Sequence, residues 1–363
     1  NMLLSGSQAQ AEAAFAQQLL ENAIAGDIRT GADVTQLLHN ADFKEGNAGW
    51  LGNTGSIGTK ASPNTDILGV EVWNANFDAY QTLSNLQNGV YVLSMTSGFR
   101  PGNPTVTTGS HTSSNYASCI YANENMTYMP TTIETMISVE DAVEGENCNI
   151  AGDVPDLQIT DDTGETLLGY IMHGMVSVAN AAKGGRAMTY ILANVTDGTL
   201  TVGLKNPGTG QPYDWTGWAN IHLTYAGTLE EASEALDQTL AGQTDRAKTM
   251  LDYQYSIGTD YAVYPNFSQE LRDQLAAAVA AVETTTENEA KYKLVETFAG
   301  LYTAIRDCQN AYIHMASEAD AFDAIFADAL NAGGGLLLDE RLEASVVDRS
   351  VLRKRRHERR DRT

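Results

Sequence analysis

Basic residues are scarce in this chain. Its 22 Lys and Arg stand against 46 Asp and Glu, a formal net charge of −24 and a pI near 4.4. A surface that tracks phosphates needs a basic footprint, so nucleic acid is excluded as a partner. Cysteine is scarce as well. Cys119, Cys148 and Cys308 form no Cys-x-x-Cys pair and no Cys/His ligand spacing, which argues against structural zinc. They read as three separate small residues, with one disulfide, Cys119–Cys148, as the alternative. Long apolar runs are missing: none approaches the roughly 20 residues of a membrane-spanning helix. No secretory leader is visible, and Asn1-Met2 runs straight into a helical pattern, as in an excised fragment. Nucleophilic hydrolase motifs are also lacking. There is no Gly-x-Ser-x-Gly, and the six histidines are scattered. Gly184-Gly185 and Gly333-Gly334-Gly335 have no phosphate-loop context.

What is present bounds the class. A hydrophobic content of 43% supports packed cores and excludes wholesale disorder. A length of 363 residues suits two domains better than one. Charge is unevenly spread. Between Asp339 and Thr363 nine basic residues meet six acidic ones, which leaves the first 338 residues at −27. Eight of the 14 arginines lie in that last stretch, so it reads as a disordered appendage, out-of-frame or vector-derived, and not as part of the globular design. The acidic remainder suits an exported protein beside neutral or cationic partners.

Glycine placement divides the chain. Of 32 glycines, 22 lie between Gly46 and Gly217, and only four between Gly227 and Leu330. Turn-rich sequence fills the middle, and helix-compatible sequence flanks it. Ser7 to Ile28 carries Ala14, Phe15, Leu19, Leu20 and Ile24 at helical spacing. The middle alternates with a period of two. Tyr91, Leu93 and Met95 share one face, as do Leu200, Val202 and Leu204, and Ile221, Leu223 and Tyr225. Asn88-Gly89 and Asp197-Gly198 are hairpin-turn dipeptides. Strands and helices do not alternate, so the expected architecture is an antiparallel sandwich or jelly roll. After Thr228 the period becomes helical. Ser233–Tyr253, Leu271–Val282 after a Ser268 cap, and Asn288–Met315 predict a small up-down helical bundle.

Several middle segments resemble one family. Leu38-His39-Asn40-Ala41-Asp42-Phe43-Lys44-Glu45-Gly46 with Gly49-Trp50 matches its opening element. Glu71 to Leu83, Leu86 to Tyr91, Gly98-Phe99-Arg100, and Ala117 to Asn123 follow in order. Val195 to Leu204 and Asp214 to Tyr225 match its close. Together they resemble the galactose-binding-like (discoidin-like) β-sandwich, a carbohydrate-binding-type module of secreted and surface proteins from gut Bacteroidota. The resemblance covers most of residues 32 to 227 and implies an antiparallel jelly roll in a multidomain protein. The expected divisions are a helical segment ending a preceding domain over 1–30, the sandwich over 31–227, a helical bundle over 228–331 and a disordered basic tail over 332–363. It implies a non-enzymatic module at an extracellular, outer-membrane-surface or periplasmic location, with neighbouring domains of a longer chain as further partners. Related sandwiches often hold structural calcium near the opening and closing strands. Ala219 stands where the family usually has Asp, which removes a carboxylate such an ion would want, and no cofactor is expected.

Candidate ligand contacts follow from sugar chemistry. Sugar rings present apolar C–H faces, so their sites pair a flat aromatic with side chains that hydrogen-bond hydroxyls. Trp50 and Trp218 sit beside core positions and read as packing. Trp73 and Trp215 are flanked by polar residues and are the candidate platforms. Asn74, Arg100, Asn103, Tyr213 and Asp214 are candidate partners, because they lie in or beside loops. The bland reading of Arg100 is an ion pair with a nearby acid. Asp153, Asp156, Asp161, Asp162 and Glu165 suggest a solvated acidic loop more than a glycosidase pair, since nothing singles out two of them. The expected function is binding of a glycan or polysaccharide. The alternatives are a structural spacer or adhesin region without a small ligand, and an accessory domain of a glycoside hydrolase.

Overall fold

The computed structural model describes residues 28–100, 117–131, 135, 137–138, 156–161, 166–170, 172, 174–207, 214–252, 255–257, 261–262 and 268–307. The expected N-terminal helix, Asn103, Tyr213, Asp153, Asp162, Glu165, Cys148, Cys308 and the basic tail lie outside the described residues, whereas Asp156 and Asp161, expected in an acidic loop, begin and end a strand. The chain divides into two compact units, Asn1–Asn310 and Ala311–Thr363, and every described residue belongs to the first.

The strands run β1 (Ala32–Asp33), β2 (Leu51–Asn53), β3 (Ile57–Ser62), β4 (Thr65–Trp73), β5 (Phe77–Leu83) and β6 (Gly89–Arg100). After them come β7 (Cys119–Ala122), β8 (Asn125–Tyr128), β9 (Ile137–Ser138), β10 (Asp156–Asp161) and β11 (Thr166–Tyr170). Helix α1 (Met175–Lys183) precedes β12 (Met188–Val195), β13 (Leu200–Asn206) and β14 (Trp215–Tyr225). Helix α2 (Ser233–Asp252), β15 (Tyr255–Ile257), β16 (Tyr261–Ala262), helix α3 (Gln269–Thr284) and a helix α4 over 288–307 complete the order.

Two antiparallel sheets form a β-sandwich. The first runs β12-β6-β14-β4-β3, with β1 added to β14, and the second runs β2-β5-β13-β7-β8. A third, smaller sheet runs β16-β15-β10-β11-β9. The period-two pattern decides what lies between the two larger sheets. Val70, Val72, Tyr91, Leu93, Met95, Trp218, Ile221 and Leu223 face inward from the first sheet. Phe77, Ala79, Ile120, Ala122, Leu200, Val202 and Leu204 meet them from the second. Phe43 stacks on Trp50 at 5.0 Å between ring centroids and meets the Trp218 edge at 5.5 Å, while Phe77 stacks on Trp218 at 5.5 Å. Trp50 and Trp218 are thus buried packing. Fully burying a side chain of this size contributes about 1.5–3 kcal/mol.

The outer face of the first sheet is covered twice. At one end α1 packs against it, a helix that period-two reading of the middle region does not anticipate. Its first turn is fixed by Ser177, whose hydroxyl accepts from the Gly174 N–H at 3.0 Å. Gly184-Gly185, after Lys183, ends it, with the Gly184 N–H bonded to the Asn180 carbonyl. The helix sits tight on β4: a Cβ on Gly69 would lie 1.8 Å from the Met175 carbonyl oxygen.

At the other end α2, α3 and α4 share one core with the sandwich. Val90, Val92 and Leu192 from the sheet pack with Leu236, Leu240, Leu275, Val295, Phe298 and Ile305 from the helices. The helices expected as a bundle therefore use the sandwich as one wall of their core. Ser268 caps α3 as the sequence implies, its Oγ accepting from the Leu271 N–H at 3.2 Å. The Asn288 side chain donates to the Leu229 and Glu230 carbonyls, tying the start of α4 to the chain before α2.

Candidate functional site

Strand direction gathers the candidates at one end of the sandwich. There β4 ends at Trp73, β6 ends at Arg100, β14 begins at Trp215 and β2 ends at Asn53. Register then places three of them side by side. Trp215 pairs with Trp73 on β4 and with Arg100 on β6, so the three residues form one row on the outer face of the first sheet. Asp214 and Asn74 adjoin this row, and the Asn74 N–H donates to the Asp214 carbonyl at 2.7 Å. Asn103 and Tyr213 lie outside the described residues.

Residues in one row have different surroundings. Trp215 is 1% exposed, and its indole lies back over Gly217, where a Cβ would come within 2.3 Å of the ring. That pose lets Nε1 donate to Glu71 Oε2 at 2.8 Å. Met172, Val178, Ala181 and Ala182 close over it in a small core with α1. Trp215, expected as a platform, is buried packing in this arrangement. Arg100 is equally buried, and Asp214 is 5% exposed. Burial pushes the Arg100 guanidinium down to about 10, opposed by the charges of Asp214 and Glu71. It stays cationic at neutral pH, as the bland reading of an ion pair requires.

Trp73 differs from both, with 54% of its surface exposed. Its support is ordered. Asn74 adopts a left-handed backbone, φ 55°, a conformation Asn tolerates in tight turns. Ala75 tucks against the inner core, so Asn74 and Asn76 stay at the surface. Asn53 Nδ2 donates to the Asn76 carbonyl at 2.9 Å, joining the β2 end to the same turn. The accessible aromatic at this end is therefore Trp73, followed by a turn that exposes Asn74 and Asn76 and is tied to Asn53. The sequence candidates omit Asn53, Asn76 and Glu71. Glu71 had a usable signal, because it stands two residues before Trp73 and shares its face.

Other candidate chemistry is absorbed by structure. Asn125 heads an Asn-x-Thr sequon, but its side-chain amide donates to the Leu192 carbonyl and the Tyr292 hydroxyl, both at 2.8 Å. Among the described residues no three His, Cys, Asp or Glu side chains gather as metal ligands. No helix among them is long and apolar enough to cross a membrane.

Fold and site together define an antiparallel β-sandwich with docked helices and one exposed tryptophan at a sandwich end. No protein-family model matches the sequence, and no curated protein matches it. Among solved structures the chain is similar to TmCBM61 in complex with β-1,4-galactotriose, at 15% identity and a TM-score of 0.24, over 52% of this chain and 97% of that one. It is similar to the C-terminal CBM6 of LamC from Zobellia galactanivorans, at 14% identity and a TM-score of 0.18, over 47% and 88%. A third is the K3 cleaved adhesin domain of Lys-gingipain from Porphyromonas gingivalis, at 16% identity and a TM-score of 0.19, over 53% and 99%.

Proposed function

We propose that this chain is a non-catalytic glycan-binding module, with residues 31–227 forming a galactose-binding-like jelly roll that carries the site. The observation that supports this reading is the exposure of Trp73 on an ordered turn. An indole left 54% exposed, with Asn74 and Asn76 exposed in the turn that follows it, offers what a sugar ring needs: an apolar face to stack on and hydrogen-bonding groups close by in the chain. The turn is fixed before the ligand arrives, which lowers the ordering cost of binding. Arg100, Asp214 and Trp215 hold the strand ends behind it. Asn103 and Tyr213, which lie outside the described residues, remain proposed contacts on their sequence alone.

Affinity electrophoresis of the full chain in gels containing neutral polysaccharides tests the reading. The parent is expected to be retarded on at least one, and Trp73→Ala to weaken that binding about tenfold. No retardation on any polysaccharide, or retardation unchanged in Trp73→Ala, would overturn it in favour of a structural spacer.

A further inference from the structure

The outer face of the second sheet is built differently from that of the first. Its middle register row crosses all five strands as Leu51, Tyr80, Gly203, Tyr121 and Met126. Glycine in the central strand lets a ring lie down. Tyr121 reaches from β7 across β13, and a Cβ on Gly203 would stand 2.5 Å from its Cζ. Its hydroxyl donates to Asp78 Oδ1 on β5 at 2.7 Å, which fixes the ring along the sheet. Tyr80 lies against another glycine, with Cε1 3.1 Å from where a Gly52 Cβ would be. Both tyrosines are partly buried, and Leu51 is 55% exposed at one end of the row. At the other end Met126, with Cys119 and Tyr128 in the row beside it, packs against the helical core, so the open part of the face runs from β2 to β7.

We propose that this face is a second saccharide-binding surface, separate from the Trp73 end, that takes an uncharged sugar chain laid across the strands. Three features select that occupant. The two tyrosines stand on strands two spacings, about 10 Å, apart, and both rings lean the same way, Tyr121 over Gly203 and Tyr80 toward Gly52, so the rings keep a spacing close to the length of a disaccharide. Hydrogen-bonding groups border the row on both sides: Asn53, Asp78 and Lys205 in one neighbouring row, and Thr82 and Thr201, which share a 2.9 Å hydrogen bond, in the other. Charge is balanced there, with one Asp and one Lys, on a molecule of net −24. A neutral amphipathic patch on an acidic protein suits a neutral amphipathic ligand. Lys205 Nζ lies 5.0 Å from the Tyr121 centroid on a flexible stem, and it turns from the ring to a sugar hydroxyl when a chain stacks. A proline-rich peptide fits less well, because proline rings insert between upright aromatic rings and these lie along the sheet.

The test uses the full chain carrying Trp73→Ala, so that the first site is silent. Cellohexaose, xylohexaose and β-1,4-linked galactohexaose are titrated and followed by amide and side-chain chemical shifts. Shifts at Leu51, Tyr80, Gly203 and Tyr121 are expected with at least one of them. Adding Tyr80→Ala and Tyr121→Ala should weaken that binding about tenfold, whereas Tyr121→Phe, which keeps the ring, should retain most of it. The parent shift map keeps the test valid even if the alanine variants fail to fold. No shifts on this face with any of the three saccharides would overturn the proposal, as would shifts produced by a proline decapeptide alone. Loss of binding in Trp73→Ala relative to the parent bears on the first site only, so the two readings fail separately.

Discussion

Trp73 and Trp215 occupy paired positions on adjacent strands, yet one is exposed and the other buried. The residue two places along each strand accounts for the difference. Behind Trp215 stands Gly217, which has no side chain, so the indole folds back toward α1 and bonds Glu71. Behind Trp73 stands Glu71 itself, which occupies that space and accepts a hydrogen bond from the neighbouring indole N–H. Gly217→Ala would push a methyl group into the ring and is expected to cost about 1–3 kcal/mol in thermal or denaturant unfolding. Trp73→Ala should stay within about 0.5 kcal/mol of the parent by the same measurement, as surface substitutions usually do. Both tryptophans look alike in their immediate sequence, because each has polar neighbours. Register across strands and the arrival of a distant helix separated them, and neither is a local property. Cys119 gives a further prediction. Burial pushes its thiol up to about 12 from 9.0, so the folded protein keeps the proton over a pH range in which the unfolded chain loses it. Its contribution to stability is full below pH 9 and is lost as pH rises toward 12. Peptide mapping after iodoacetamide treatment at pH 8.5 should find Cys119 unmodified in the native protein and alkylated in guanidinium.

Strands were the most legible elements. Alternation correctly assigned Tyr91, Leu93 and Met95 to the inner face of β6, and Leu200, Val202 and Leu204 to that of β13. It could not tell that Val90 and Val92, on the other face of β6, would also be covered, because their cover comes from helices more than a hundred residues away. Helix α1 was missed for a physical reason. Its residues Met175-Val-Ser-Val-Ala-Asn-Ala-Ala-Lys are small and nearly all buried, so no polar face marks a helical period. Its boundaries did carry a signal: Gly174 with Ser177 at the start, and Lys183 followed by Gly184-Gly185 at the end. Caps thus report a helix even where periodicity is silent. For α3, where both signals agree, Ser268→Ala removes the acceptor for the Leu271 N–H and is expected to lower stability by about 1 kcal/mol. Ser268→Asp should restore most of that loss in the same unfolding experiment, because a carboxylate caps as well and favours the positive end of the helix dipole.

At the scale of the molecule, the boundary near Gly227 read from sequence is a change of secondary structure, yet the packing continues across it. Val90 and Leu192 belong to the same core as Leu236 and Phe298, and Tyr292 on α4 accepts hydrogen bonds from Asn125 on β8 and from the Asn194 N–H on β12. Arg246 on α2 donates to the Tyr128 carbonyl, and Arg306 on α4 lies 5.4 Å from the centroid of that same tyrosine ring. A change of period marks where the backbone changes conformation and says nothing about whether the apolar stripe of a helix faces another helix or a sheet. The arrangement has a measurable consequence. All four tryptophans lie in the sandwich, whereas α2, α3 and α4 dominate the helical circular dichroism. If one core joins them, tryptophan fluorescence and ellipticity at the helical band follow a single denaturant transition with a common midpoint. Leu236→Ala, a fully buried helical position, should then shift both midpoints together by the equivalent of about 2–5 kcal/mol. Two separate transitions, with only the helical signal moved by Leu236→Ala, would show that the sandwich folds without the helices and that the division near Gly227 is a domain boundary in energy as well as in sequence.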